Sequence, residues 1–487
     1  MEKFLELTTK LQSKEVNKMH LTSLESLIEA DGREMLRLML EEHIRLRGPG
    51  NVGETIEGSD EVIRSQLRNR SRKLKTIFGP IDIERTQYSK PGHTSLTPKE
   101  ALLNLPENSY SHSLQRRTTM EIAKGSFDEA ITSIKIQTGV KLPKRQVEEM
   151  AMNVAKDFDD FYAKRGVIDL REETRKNELL ILSTDGKGVV MKKDDLREAT
   201  KKRAESEKKL KKRLSRGEKK NGKRMAQVAS VYSIQRHERS AVAIMEGSQT
   251  HPAPKPVEKR VWASLEHEPE AVIGHMFDEA DRRDPKHKRE WVVLVDGQRH
   301  QLDLIAENIE SRKLQVTVII DLIHVIEYLW KASRSFHPEG TPEGEEWVSR
   351  YLRMLLEGRA KQVAPAIRRS ATRQGIEARE GVDTCANYLH NNADYLHYDK
   401  YLARGLPIAT GVIEGACRHL VKDRMDVTGA RWTLKGAEAV LKLRSLRASG
   451  DWDEYWEFHE QANYERNHRI HYARPERLEQ SWLKLIK

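Results

Sequence analysis

The sequence predicts a multidomain α/β protein: a mainly helical N-terminal region containing a helix-turn-helix, then a mixed-sheet domain carrying an all-helical insertion. Three observations predict it. Apolar residues recur at three- and four-residue spacing early in the chain, short apolar runs that close on an aspartate appear after residue 178, and residues 322–402 return to a helical pattern with one polar Pro/Gly break at 337–344. This places an N-terminal region at 1–170 and a second domain at 171–487, with the insertion at about 325–405.

In order along the chain, Leu24, Leu27, Ile28, Leu36, Met39, Leu40 and Ile44 predict a helix that Gly48-Pro49 stops. Residues 76–78 and 81–83 flank Gly79-Pro80 and predict two short strands around a turn at that pair. Ser126 and Glu129 have capping-box spacing, Phe127, Ala130, Ile131 and Ile134 share one face, and Gly139 suits a left-handed helix end. Pro143 then suits the first turn of a second helix, with Val147, Met150, Ala151 and Val154 inward and Lys144 and Arg145 leading its exposed end. The layout is that of a helix-turn-helix whose second helix enters a DNA groove; the alternative is an ordinary helical hairpin.

A charged helix at 157–177 leads to the apolar run 178–184, read as a buried strand ending at Asp185-Gly186. Residues 227–234 and 240–245 read as further strands. The runs 291–295 and 315–320 end at Asp296-Gly297 and Asp321, and helices resume at 412–424 and 434–447 before an aromatic tail with Trp452, Tyr455, Trp456, Phe458 and Trp482.

The chain has 487 residues, 37% hydrophobic and 33% charged, with no apolar run of membrane-spanning length, which excludes a helical membrane protein. Two cysteines, Cys385 and Cys417, and no N-terminal leader pattern predict a reducing cytoplasm rather than a disulfide framework. The formal net charge is +11, and residues 192–224, with sixteen Lys or Arg and six Asp or Glu, hold nearly all of it. Lys208, Lys209, Lys211, Lys212 and Arg213 form its densest part. With almost no apolar residues the tract stays solvated; phosphate contact is the functional reading and a solubilising surface the plain one.

One aspartate at a strand end is commonly a cap or a turn residue. Two Asp-Gly pairs, Asp185 and Asp296, in one α/β domain predict carboxylates gathered at the sheet's carboxyl edge, where they repel unless a hard cation lies between them. A basic protein with such an acidic pocket suits metal-dependent phosphoryl transfer, in which Mg²⁺ bridges carboxylates and phosphate. Glu414, early in a helix, is the best third ligand; the alternative is an ion pair with Arg418.

The order of a helix-turn-helix, STDGKG around Asp185, VLVDGQ around Asp296, IIDLIHVIEYLW around Asp321 and His324, GVIEGACRHLVKDRM and GARW resembles bacterial insertion-sequence DDE transposases of the ISKra type, relatives of the Mutator-like group with a ribonuclease-H-like catalytic domain. The resemblance runs from about Ile77 to Trp456. It implies catalytic and metal-binding roles for Asp185, Asp296 and Glu414 with two Mg²⁺ ions, for which Mn²⁺ can substitute, and an Asp-x-x-His signature at Asp321 and His324 ahead of the helical insertion. Arg424, Gly429, Arg431 and Trp432 fall in the family's segment after the glutamate, with Arg431 and Trp432 as DNA contacts. Trp432 is read either as stacking on an unpaired base or as core, and His324 either as a phosphate contact or as a structural partner of Asp321. Many relatives carry a Cys-x-x-Cys zinc pair where this chain reads QYSKPGHTS; His93 alone does not make a four-ligand site, so no structural zinc is expected.

The implied activity is binding of terminal inverted repeats, metal-dependent cleavage of double-stranded DNA and strand transfer into target DNA, at the nucleoid. Two ends need two active sites, so a homodimer or larger assembly on DNA is expected, with the aromatic tail as a contact surface. The alternatives are a non-catalytic DNA-binding repressor and a metal-dependent nuclease without strand transfer.

Overall fold

The computed structural model describes residues 2–166, 178–206, 222–247, 252–409, 411–427 and 429–475. The chain divides into two units, Met1–Lys164 with Asp451–Lys487, and Arg165–Gly450. The sequence reading had placed everything after residue 171 in the second domain; the C-terminal segment belongs instead with the first unit. Burial of its rings is the reason. In the helix Trp452–Asn467, Tyr455 and Trp456 are buried, and Phe161 meets Tyr455 and Phe458 at 5.5 and 5.6 Å between ring centres. Asp157 pairs with His459 and Arg466 at 2.7 and 2.9 Å. These side chains are core, not the contact surface expected of the tail; Trp482 lies outside the described residues.

The first unit contains the expected long helix, Leu21–Leu46, followed by two two-residue strands, β1 (Ile56–Glu57) and β2 (Ile63–Arg64), and by a ribbon of β3 (Gln66–Thr76) and β4 (Gly79–Ser89). The turn of this ribbon is Ile77-Phe78, not Gly79-Pro80, and its strands are eleven residues each. Pro80 is tolerated inside β4 because a two-stranded ribbon has only edge strands, where a missing N–H need not break a ladder. Leu74, Ile81 and Ile83 pack with Ile44 of the long helix and Leu105, which holds the ribbon against it.

The predicted helix pair is present as Phe127–Thr138 and Lys144–Ala155. Ser126 and Glu129 form the full capping box and Gly139 ends the first helix at φ 73°. Pro143 is the N-cap of the second helix rather than part of its first turn, and Val147, Met150, Ala151 and Val154 are buried. A third helix, His112–Lys124, packs against both and was not read from the sequence.

The second unit is built on one mixed sheet of β5 (Glu178–Val190), β6 (Lys223–Gln235), β7 (Val257–Ser264), β8 (Glu290–Val295) and β9 (Val316–Ile320), in the order β7-β6-β5-β8-β9. β6 runs antiparallel to β5 and β7, whereas β8 and β9 run parallel to β5. Residues 240–245, read as a strand, belong to a short helix, Ala241–Glu246, because Ser240 caps it through Ala243 N and Gly247 ends it in the left-handed region. The third strand is β7, whose charged start disguises it. Beyond β9, where the sequence pattern is helical, the helices Leu322–Ser333, Pro342–Leu356, Ala360–Arg373 and Glu380–Asn391 pack on one another. Among the described residues no helix is long and apolar enough to cross a membrane.

Candidate active site

The start of β5 forms a strand because Leu179 to Leu182 are continuously apolar and fully buried, with Ser183 and Thr184 buried after them. The strand does not stop at Asp185-Gly186. Its antiparallel pairing with β6 continues from Glu178↔Gln235 to Val190↔Lys223, whereas its parallel pairing with β8 ends at Ser183↔Leu294. Gly188 fits this long pairing because a Cβ there would lie 2.9 Å from the Lys223 side chain. Asp185 therefore sits where one neighbouring strand continues and the other departs.

The register carries the site. Continuing Ser183↔Leu294 by two residues sets Asp185 level with Asp296, and continuing Val295↔Ile320 by one sets Asp296 level with Asp321. Asp185 lies on β5, Asp296 directly follows β8 and Asp321 directly follows β9, so three aspartates lie at the carboxyl end of three adjacent strands, the place where open α/β sheets bind ligands.

Each is held differently. Asp185 is half-buried; its Oδ1 accepts from Gly186 N at 2.6 Å and its Oδ2 accepts from the Cys417 thiol at 3.2 Å. Asp296 is half-buried, its Oδ1 accepts from Gln298 N at 2.9 Å, and its backbone oxygen accepts from the Tyr388 hydroxyl at 2.7 Å. Burial, with the Asp185 charge adding to it, raises the Asp296 carboxyl above the ordinary range against the hydrogen bond from Gln298 and the nearby His324. Asp321 is 2% exposed and caps the helix Leu322–Ser333 through Ile323 N at 2.8 Å. That role is structural and fixes the helix that carries His324, whose Nδ1 is 3.7 Å from Glu327.

Glu414 lies on the short helix Gly411–Ala416, directly before a π-helical turn, Cys417–Lys422. It is exposed. One helical turn separates it from Cys417, whose thiol is pushed up first by burial, then by the Asp185 charge, with Glu414 a small further cause. It does not pair with Arg418, which reaches toward Asp423 at 4.0 Å. Among the described residues no group of three or more His, Cys, Asp or Glu side chains is arranged to hold a metal ion. The structure thus brings Asp185 and Asp296 near one another, and Glu414 is exposed and outside the group.

The other predicted contacts are placed as follows. Lys144 is exposed and pairs with Asp128 at 2.7 Å; Arg145, 88% exposed at its side chain, pairs with Glu149 at 3.0 Å. Lys208, Lys209, Lys211, Lys212 and Arg213 lie outside the described residues. Arg431 is exposed. Trp432 is buried: its indole N–H donates to Met425 O at 3.1 Å, its backbone bonds to Val190 and Lys192, and the Arg424 guanidinium lies 4.7 Å from its ring centre. It serves as core between β5 and the following helices, so the base-stacking reading gives way to the packing one.

Sequence reasoning missed Tyr388 and Cys417 as partners of the two aspartates. Tyr388 stacks on Tyr328 at 3.9 Å and comes from the helical insertion, so no local motif marks it. Cys417 was visible in GVIEGACRHL as the residue one turn after Glu414. Burial pushes the Cys385 thiol up to about 12 and the Cys417 thiol up as well. The thiolate is the reactive form, so neither cysteine should react with Ellman's reagent at pH 8 until the protein is denatured. Native labelling of Cys417 would show that the Gly411–Lys422 segment opens in solution.

Compared with protein-family models and with curated proteins, the chain matches none.

Proposed function

We propose that this chain is a DDE-type DNA transposase, whose first unit reads terminal inverted repeats through its helix-turn-helix and whose second is a ribonuclease-H-like domain that cuts DNA and joins a 3′-hydroxyl to target DNA. The observation that carries this reading is that Asp185 and Asp296 each lie two residues past the last pair of the β5–β8 parallel ladder, close enough for the Asp185 charge to act on the Asp296 carboxyl. An Asp296 carboxylate held against burial and a neighbouring like charge suits a divalent cation. Mg²⁺ is usually held by one or two carboxylates with waters and substrate phosphates, so Asp185 and Asp296 fit it as the protein's share of the ligands. When bound, such an ion supplies Lewis-acid stabilisation of a phosphoryl oxygen and a more acidic attacking group. Cys417 holds the Asp185 carboxylate, Tyr388 holds the backbone at Asp296, and the chain's net positive charge suits the DNA backbone.

The exposed position of Glu414 favours a second reading, binding of DNA without chemistry. A strand-transfer assay with labelled repeat ends separates the two, and separates both from a nuclease that cuts without joining. If Glu414 joins the site once DNA and metal are present, Glu414→Gln should bind repeat DNA normally yet lose cleavage and joining as completely as the aspartate variants, because ligands of one metal site act as a unit. Near-normal strand transfer by that variant would remove Glu414 from the catalytic set.

A further inference from the structure

Half of the large apolar side chains that are exposed among the described residues lie in the first 46 residues. Five of them, Leu21, Ile28, Leu36, Met39 and Leu46, are 42–73% exposed and belong to the single helix Leu21–Leu46. At 3.6 residues per turn they fall within about 80° of arc, a stripe about 38 Å long that Gly32 shares and that Glu25 and His43 interrupt along one side. The core side of this helix is elsewhere: Ile44, its one buried residue, packs against Leu74, Ile81 and Ile83. Monomeric proteins rarely leave a contiguous apolar surface of this kind uncovered.

We propose that this stripe is a homodimer interface, in which the helix Leu21–Leu46 packs antiparallel against the same helix of a second copy about a two-fold axis near its midpoint. The stripe is self-complementary in the way a two-fold interface requires. Leu21 and Leu46 are equally far from the helix midpoint, and so are Ile28 and Met39, so the antiparallel arrangement sets Leu21 on Leu46 and Ile28 on Met39 twice over. Gly32 lies on the stripe near the centre. A glycine inside a helix costs about 1 kcal/mol relative to alanine, and open space surrounds the position its Cβ would take. Its place close to the two-fold axis, opposite Met35 of the second copy, gives the two backbones room to approach.

Charge selects the same arrangement. One flank of the stripe carries Glu25 in the first half of the helix and His43 with Arg47 in the second; Arg47 Nε donates to His43 Nε2 at 3.0 Å. Glu25 and His43 are exposed, and Glu25 has no ion-pair partner among the described residues. A two-fold axis perpendicular to the plane of the paired helices keeps the same flank together, so Glu25 of each copy faces the His43–Arg47 end of the other. A parallel pairing would set Glu25 beside Glu25.

Sedimentation velocity of the full chain without DNA tests this apart from any catalytic reading. The wild type is expected to sediment at twice the chain mass at micromolar concentration. Ile28→Glu/Met39→Glu should sediment as a folded monomer with unchanged far-UV circular dichroism, and Leu21→Lys/Leu46→Lys should do the same if the first pair proves insoluble. Glu25→Lys should weaken association roughly tenfold, since two surface pairs become repulsive, and adding His43→Glu and Arg47→Glu should restore it. A monomeric wild type, a dimer that survives the apolar-to-charged pairs, or a charge reversal that does not restore association would each overturn the proposal.

Discussion

Asp185→Asn and Asp296→Asn are each expected to abolish cleavage and strand transfer in Mg²⁺ while leaving repeat-DNA binding intact. The two carboxylates each lie two residues past the last pair of the β5–β8 ladder, and each carries half of the charge that would hold a cation there. A bound divalent ion contributes several kcal/mol of transition-state stabilisation, so loss of either ligand should cost roughly a thousandfold in rate or more. The stability effect has the opposite sign. The Asp296 carboxyl is raised in the folded protein by burial and by the Asp185 charge, so the folded state carries a penalty that appears as pH rises and the group ionises. Asp296→Asn removes this penalty, and its melting temperature at pH 7 should equal or exceed that of the wild type. Mg²⁺ should raise the wild-type melting temperature by mass action and leave both variants unmoved. Variants that retain strand transfer, or that still gain thermal stability from Mg²⁺, would remove the aspartates from the site.

Glu279→Gln should be among the most destabilising single substitutions in the second unit. Glu279 is 2% exposed on the helix Pro269–Arg283, and its carboxylate receives Arg260 at 2.7 Å, Arg282 at 2.7 Å and Arg283 at 2.6 Å. Arg260 belongs to β7, so this cluster fastens the edge of the sheet to the helix over it. An amide in place of the carboxylate leaves three guanidinium charges together without compensation, two of them on buried residues, which costs about 3–5 kcal/mol. Glu29→Gln, at the more exposed pair with Arg33, should cost under about 1 kcal/mol. Urea unfolding of the two variants measures both, and a loss below about 1 kcal/mol for Glu279→Gln would show that water solvates the cluster. Burial opposes ionisation of Glu279, but the three arginines outweigh it and hold the carboxyl well below the usual range. Its contribution is therefore complete above the ordinary glutamate value near 4.5 and is lost as the pH falls below that, a loss Glu279→Gln should not show.

The helix pair after residue 126 was legible because its determinants are local: a capping box, a left-handed glycine and an apolar face all lie within a few residues of one another. Where two local readings competed, the sequence misled. Residues 241–245 are apolar enough for a strand, and only the cap from Ser240 with the left-handed Gly247 decides for a helix. Gly79-Pro80 has turn chemistry but lies inside β4, since the longer β3 and β4 pair from one end to the other. β7 was invisible because Glu258, Lys259 and Arg260 look unlike a strand; Arg260 is acceptable there only because Glu279 arrives from another element to neutralise it.

By itself the sequence determined a mixed α/β chain with a helix pair near its start, a helical insertion, and aspartates at the ends of three apolar runs, since periodicity, caps and strand-terminal residues act over one or two turns of chain. Tertiary structure alone decided which of those aspartates form a site. Parallel pairing of β5 with β8, distant in sequence, brings Asp185 and Asp296 to the same end of the sheet just past the last pair of the ladder, and capping commits Asp321 to its helix. It also decided that Trp432 is core and that the apolar face of the Leu21–Leu46 helix is exposed, because the same periodicity is written whether a stripe meets its own chain or another copy.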